Sequence, residues 1–444
     1  MKLFSLRLTT LKSKLYAIVF ASFIVRVAAF FTLPNTASNL GPDEGQYADL
    51  VEWVSQNKPV SEYPLFGPDL YYSARSIIWP ATLFHHMGFD SLSSIRMVAS
   101  IYGLMITILI AATVIEVSKK SAQAKSFCIN QQRLVAILFA VFTFIPSHFA
   151  WSTLGLRESA VEFWTIFTFI LIFLLLFLKI EISSISAILY FVAIVMLFSS
   201  RPQVGVVLSM ALMIYLPFQI KARNVQILIP VTIIAMFLGA ILSSTPSTPS
   251  TPSTPSTPST PSTPSTPSTP STPEDINPLQ RVITQARDIF YHHQANQVAA
   301  ESVIFTANCP FKETFSEEGL VCLLWRTPYS VSTFLFRPVL GSDITSTSSL
   351  FAAIENIFWL AAFLFIAIRL IRNRRLAFFG ALAPSLHFFS IYSVAAGAYE
   401  GNMGTAFRHK SLILWVVLLL IASTIVATQE RKAEQRGISG SSEE

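Results

Sequence analysis

Four short polar stretches interrupt a largely apolar chain, and each holds residue types that can do chemistry. "GPDEGQYADLVEWV" (41–54) sets Asp43 and Glu44 side by side after the first long apolar run. A carboxylate can take a proton from an attacking hydroxyl, best where burial raises its pKa. "STLGLRES" (152–159) carries Arg157 and Glu158, and "SSRPQ" (199–203) carries Arg201 between two apolar runs. "EGNMGTAFRHK" (400–410) gathers Arg408, His409 and Lys410 ahead of the final apolar run. Guanidinium forks match phosphate oxygens, so these cations suit a phosphate-bearing ligand. Each stretch also has a plainer reading. Asp43 follows Gly41-Pro42 where a helix cap belongs, with Tyr47, Leu50, Val51 and Val54 forming one apolar face behind it. Glu158 suits a helix N-terminus, and the Arg408 cluster suits lipid headgroups.

The elements that must position these residues are membrane spans. The chain has 444 residues, 52% hydrophobic and only 13% charged, about half the charge of a soluble domain. Apolar runs of about 20 residues suffice to cross a bilayer. Spans are expected at 15–33, 93–117, 134–152, 159–178, 186–200, 203–220, 225–242, 351–368, 376–396 and 411–427. A shorter run, 76–88, reads as an interfacial or re-entrant helix. The tail with Lys2, Arg7, Lys12 and Lys14 shows no cleavage site, and the first run reads as a retained span. Basic segments at 118–133, 221–223, 369–375 and 429–436 then fall on the cytoplasmic side, with both termini. All four polar stretches fall on the opposite face. The net charge of +6 is spread over these short segments, so no nucleic-acid surface is indicated. Arg26, inside the first span, requires a polar interior partner.

The division expected is a transmembrane module 1–242 with a first external loop 34–92, a linker 243–278, an external subdomain 279–350, and a closing segment 351–444. Within the linker, 244–273 are ten Ser-Thr-Pro triplets, a composition that favours an extended, solvated spacer. Cys309 and Cys322 flank a polar stretch on the external side, where a disulfide is permitted. His85 and His86 are adjacent, so a helix points them about 100° apart and they do not share a metal. Walker lysine, nucleotide-binding glycine loop and zinc spacing are all missing.

The first span followed by "PDE..Y" and an amphipathic helix resembles the GT-C class of membrane glycosyltransferases. The likeness is to the branch of protein O-mannosyltransferases and lipid A aminoarabinose transferases. "WSTLGLRESAVEFW" resembles a later acidic turn of that class, with Arg157 a departure from it. "GTAFRHK" resembles a basic motif before a late span. The resemblance implies a helical bundle of about ten spans and a polyprenyl-phosphate sugar donor. It further implies Asp43 as the catalytic carboxylate, with Glu44 and Glu158 as companions. Arg408, with His409, Lys410 and Arg201, would hold the lipid phosphate. The acceptor would be an envelope glycan, lipid or protein, and a divalent cation is possible at the acidic residues. Two other readings stand beside it. A polysaccharide polymerase or ligase would use late-loop arginines such as Arg281, Arg287, Arg326 and Arg337. A lipid-linked glycan flippase would show charged residues within its spans.

Overall fold

The computed structural model describes residues 2–34, 43–63, 67–123, 129–177, 183–219, 223–243, 317–341, 343–344, 347–372, 383–399, 404 and 406–416. Among them every regular element is helical. In order these are α1 (Lys2–Thr32), α2 (Asp43–Ser55), α3 (Gly67–His86), α4 (Ser91–Gln123), α5 (Ile129–Phe144), α6 (Pro146–Trp151), α7 (Glu158–Ile172), α8 (Ser184–Ser200), α9 (Pro202–Tyr215), α10 (Arg223–Ser243), α11 (Glu317–Phe336), α12 (Thr347–Arg372), α13 (Ala383–Tyr399) and α14 (406–416).

Four helical segments among the described residues are long and apolar enough to cross a membrane: Leu11–Thr32, Ser91–Glu116, Glu158–Leu175 and Ser349–Ile368. Arg133–Phe144, Ser184–Ser200, Pro202–Tyr215 and Val225–Gly239 are apolar but shorter. These four coincide with the expected spans 15–33, 93–117, 159–178 and 351–368, and the last two expected spans are described only over 383–396 and 411–416. Glu158–Leu175 is the most enclosed of the four and Leu11–Thr32 the least. α7 packs against α4 and α8 at the centre of the main apolar core, with Ile166, Phe169, Leu197, Leu208 and Trp415 all buried in it. α1 turns Tyr16, Phe20, Phe23 and Phe31 outward, an apolar face that lipid would cover. The Tyr190 hydroxyl lies 2.8 Å from that of Thr232, which ties α8 to α10 where water could not satisfy either group.

Three of the expected segments take a more detailed form. The span 134–152 is broken: α5 ends at Phe144, and Ile145 is extended (φ −62°, ψ 135°) before α6 opens on Pro146. Proline has no N–H and excludes helical geometry from the residue before it. The short run 76–88 is part of a 20-residue helix that starts at Gly67 and packs against α2, α4 and α8. Within the expected external subdomain, residues 317–336 form α11, which packs against α13. The Cys309–Cys322 pairing lies outside the described residues, as Cys309 and the side chain of Cys322 are not among them.

Candidate functional site

Asp43 opens α2, in a first turn where the helix dipole favours negative charge. Its neighbour Glu44 points inward and is fully buried. Glu44 accepts from Arg96 Nε at 2.6 Å and Nη2 at 3.0 Å, and from the Gly155 backbone N–H at 2.9 Å. Arg96 Nη1 also donates to the Pro34 carbonyl at 2.7 Å. The Glu44–Arg96 pair thus joins α2, α4, the residues just after α1 and the turn before α7. Gly155 makes the approach possible: a Cβ there would stand 2.3 Å from Ile95 Cγ2. Both Glu44 oxygens are therefore engaged by Arg96 and Gly155, away from the Arg408 that Asp43 meets.

Arg201 is presented by a sequence device. Pro202 is the first residue of α9, and Arg201 before it is extended at φ −162° and ψ 93°, as a residue preceding proline prefers. The side chain leaves the α8–α9 corner toward α7, where Nη1 donates to Glu158 Oε1 at 3.4 Å. Its Nη2 hydrogen-bonds His409 Nε2. From α14, Arg408 Nη1 donates to Asp43 Oδ2 and lies 3.8 Å from Glu158 Oε1. Arg157, in the turn before α7, donates from Nη1 to the Ser73 hydroxyl of α3 at 2.8 Å. Trp151 supplies an aromatic wall, with its ring 5.9 Å from the Arg408 guanidinium carbon.

Burial works against the Arg408 charge, but Glu158 and Asp43 outweigh it and hold the group above its ordinary value. Arg157 is likewise desolvated, yet Tyr47, Glu158 and Asp43 keep it raised. Burial, with Arg201 beside it, pushes His409 well below its usual range, so a neutral ring accepts from Arg201. Burial pushes the Tyr47 phenol up to about 12. Among the described residues the cluster therefore carries three guanidiniums, Arg157, Arg201 and Arg408, against the carboxylates of Asp43 and Glu158. A positive charge is left over.

Among the described residues, four buried polar atoms here find no hydrogen-bond partner: Glu158 Oε2, Arg157 Nε, Arg408 Nε and Trp151 Nε1. Buried polar groups are almost always paired, and each unpaired one costs about 1–3 kcal/mol. Three orphan donors and an orphan acceptor around one excess positive charge suit an anion that also carries a donor, such as a phosphorylated sugar. The glutamate is almost wholly buried, whereas the Asp43 side chain is 37% exposed. An incoming hydroxyl can therefore reach Asp43 and not Glu158.

Lys410, expected beside Arg408 at the phosphate, lies elsewhere. Its Nζ donates to the Leu335 and Arg337 carbonyls at 3.2 Å each and to Asn356 Oδ1, and the residue is fully buried. Burial pushes it down to about 7. It fastens α14 to α11 and α12 and does not face the Arg408 cluster. Among the described residues no group of three His, Cys, Asp or Glu side chains is placed to hold a metal ion. The carboxylates of Asp43 and Glu158 both face guanidiniums, so the donor set does not fit a divalent cation.

One turn along α7, a second set of charges lies deeper. Glu162 accepts from His148 Nδ1 at 2.9 Å, and His148 Nε2 lies 3.4 Å from Arg26 Nη2. Arg26 also donates to the Ser152 hydroxyl at 2.9 Å and to Ser22. This supplies the interior partner that Arg26 requires. The spacing of Glu158 and Glu162, four apart on one helix face, was the available signal for it. Arg96, Trp151 and Ser73 gave no signal, because their roles arise only through long-range packing. No protein-family model, curated protein or solved structure matches the chain.

Proposed function

We propose that the chain is a membrane glycosyltransferase that moves a sugar from a polyprenyl-phosphate donor to a hydroxyl acceptor. What supports this reading is the meeting of Asp43, Glu158, Arg201, Arg408 and His409 from four distant segments, around unpaired donors and an excess positive charge. The donor phosphate lies against Arg408 and Arg201, near the orphan Nε atoms of Arg408 and Arg157. The acceptor enters past Asp43, at the membrane face that the positive-inside pattern assigns to the outside. Asp43 takes the hydroxyl proton as the oxygen bonds to the anomeric carbon. The bond from that carbon to the phosphate oxygen breaks with its electron pair leaving on the phosphate. Attack from the side opposite the phosphate inverts the anomeric centre. Guanidiniums fixed in place before the reaction stabilise the charge that develops on the leaving group.

The test is release of polyprenyl phosphate from a polyprenyl-phosphate sugar in proteoliposomes with acceptor glycan. Wild-type protein is expected to release it, and Arg408→Gln to be at least about a hundredfold slower. Equal rates for the two proteins would refute the reading. A flippase is the second reading, favoured by the Arg26–His148–Glu162 set buried beside apolar spans. It predicts transbilayer movement of a labelled lipid-linked sugar without release of free polyprenyl phosphate.

A further inference from the structure

The Asp43–Arg408 ion pair occupies the groups that the proposed reaction most needs. Arg408 Nη1 already donates to the carboxylate that must receive a proton, and it sits within reach of Glu158. Of the two carboxylates only Asp43 is substantially exposed, while Glu158 is enclosed and also held by Arg201. We infer that Arg408 is a charge-transfer clamp: it neutralises Asp43 before the reaction and is handed to the leaving phosphate as Asp43 becomes protonated. The inference rests on the transferase reading and deepens it by assigning the order in which one guanidinium serves two anions.

The charge balance at the cluster carries the idea. Three guanidiniums face Asp43 and Glu158, and a donor phosphodiester adds one negative charge, which brings the site to neutrality. As the acceptor oxygen bonds to the anomeric carbon, its proton passes to Asp43, which loses its charge. The broken carbon–oxygen bond leaves its pair on the phosphate, which gains one. The sum of charges is unchanged, but one negative charge has passed from Asp43 to the phosphate, and Arg408, the cation bound to Asp43, is the one released to follow it. Its unpaired Nε offers the phosphate a donor on the same guanidinium. The protonated Asp43 state consequently holds the product phosphate tightly, and loss of that proton to water returns Arg408 to Asp43 and expels the product. A cation that follows the negative charge from one anion to the other avoids the cost of an uncompensated buried ion.

Equilibrium binding of undecaprenyl phosphate to the full chain in nanodiscs tests this. Asp43→Asn mimics the protonated state and is expected to bind the lipid phosphate about tenfold more tightly than wild type, within the range of site-to-site coupling. The gain is expected to vanish in an Arg408→Gln background, since the coupling runs through that guanidinium. Asp43→Ser, with thermal melting alongside, serves if the asparagine variant does not fold. Unchanged or weaker binding in both Asp43 variants would overturn the clamp, leaving the pair a structural strut. Tighter binding that persists without Arg408 would overturn it too, as a general loss of negative charge. No binding to wild type would instead refute the lipid-phosphate reading itself, and the clamp with it.

Discussion

Glu158 touches more of the cluster than any other acid there. Its Oε1 lies 3.4 Å from Arg201 and 3.8 Å from Arg408, and its Oε2 has no partner among the described residues. Glu158→Gln keeps the shape and removes the charge, leaving Arg157, Arg201 and Arg408 opposed only by Asp43. Transfer is expected to fall at least about a hundredfold, while binding of undecaprenyl phosphate strengthens. Weaker lipid binding in that variant would show that Glu158 orients the arginines more than it competes for them. His409 gives a pH signature. Its folded pKa lies below the ordinary value of 6.5, so below about pH 6.5 the unfolded chain binds a proton that the folded chain refuses. Its contribution to stability is undiminished above that pH and declines as pH falls further. Thermal melts in detergent should show this acid decline, and His409→Gln should flatten it.

At the scale of elements, the site depends on how closely α1, α2, α4 and the 152–157 turn approach one another. Glu44 and Arg96 hold all four together, and removing one partner of such a buried pair costs about 3–5 kcal/mol. Glu44→Ala is therefore expected to lower the melting temperature sharply and to reduce activity only through loss of folded protein. Gly103 does similar work deeper in the bundle. A Cβ there would meet Ser152 Cβ at 2.4 Å and Arg26 Nε at 2.9 Å. The backbone-proximal Ser152 cannot easily give way, so Gly103→Ala is expected to cost about 1–3 kcal/mol by overpacking, read from the same melts. The device that aims Arg201 was legible in sequence, since Arg-Pro at an apolar corner dictates an extended residue and a new helix. The helix carrying Asp43 was legible too, from Tyr47, Leu50 and Val51 on one face. The fate of Glu44 was not: its partner lies 52 positions away, and adjacency to Asp43 suggested a shared role that the helix then separates. The place of Lys410 was hidden for a like reason, because residues next to each other on α14 point about 100° apart.

Across the whole molecule, composition and hydropathy carried the helical, apolar architecture, and the excess of cations outside the basic loops carried the cluster. What they could not carry was how the apolar segments of α5, α8, α9 and α10, each shorter than the four long ones, pack: α8 lies against α7, α9 and α10, and α5 against α1. The Ser-Thr-Pro tract is a further whole-chain matter. Its composition predicts a spacer without apolar groups to bury, so deleting 244–273 should leave both melting temperature and transfer rate within about twofold of wild type. A large loss would show that the tract has a recognition role. The central claim is that Asp43 accepts the acceptor's proton. The most direct measurement is single-turnover sugar transfer by Asp43→Asn in proteoliposomes loaded with polyprenyl-phosphate donor, with donor binding checked in parallel. The expected result is donor binding at least as tight as wild type, with transfer slower by at least about a hundredfold, the lower range for a positioned general base. Full transfer by Asp43→Asn at normal donor occupancy would contradict it.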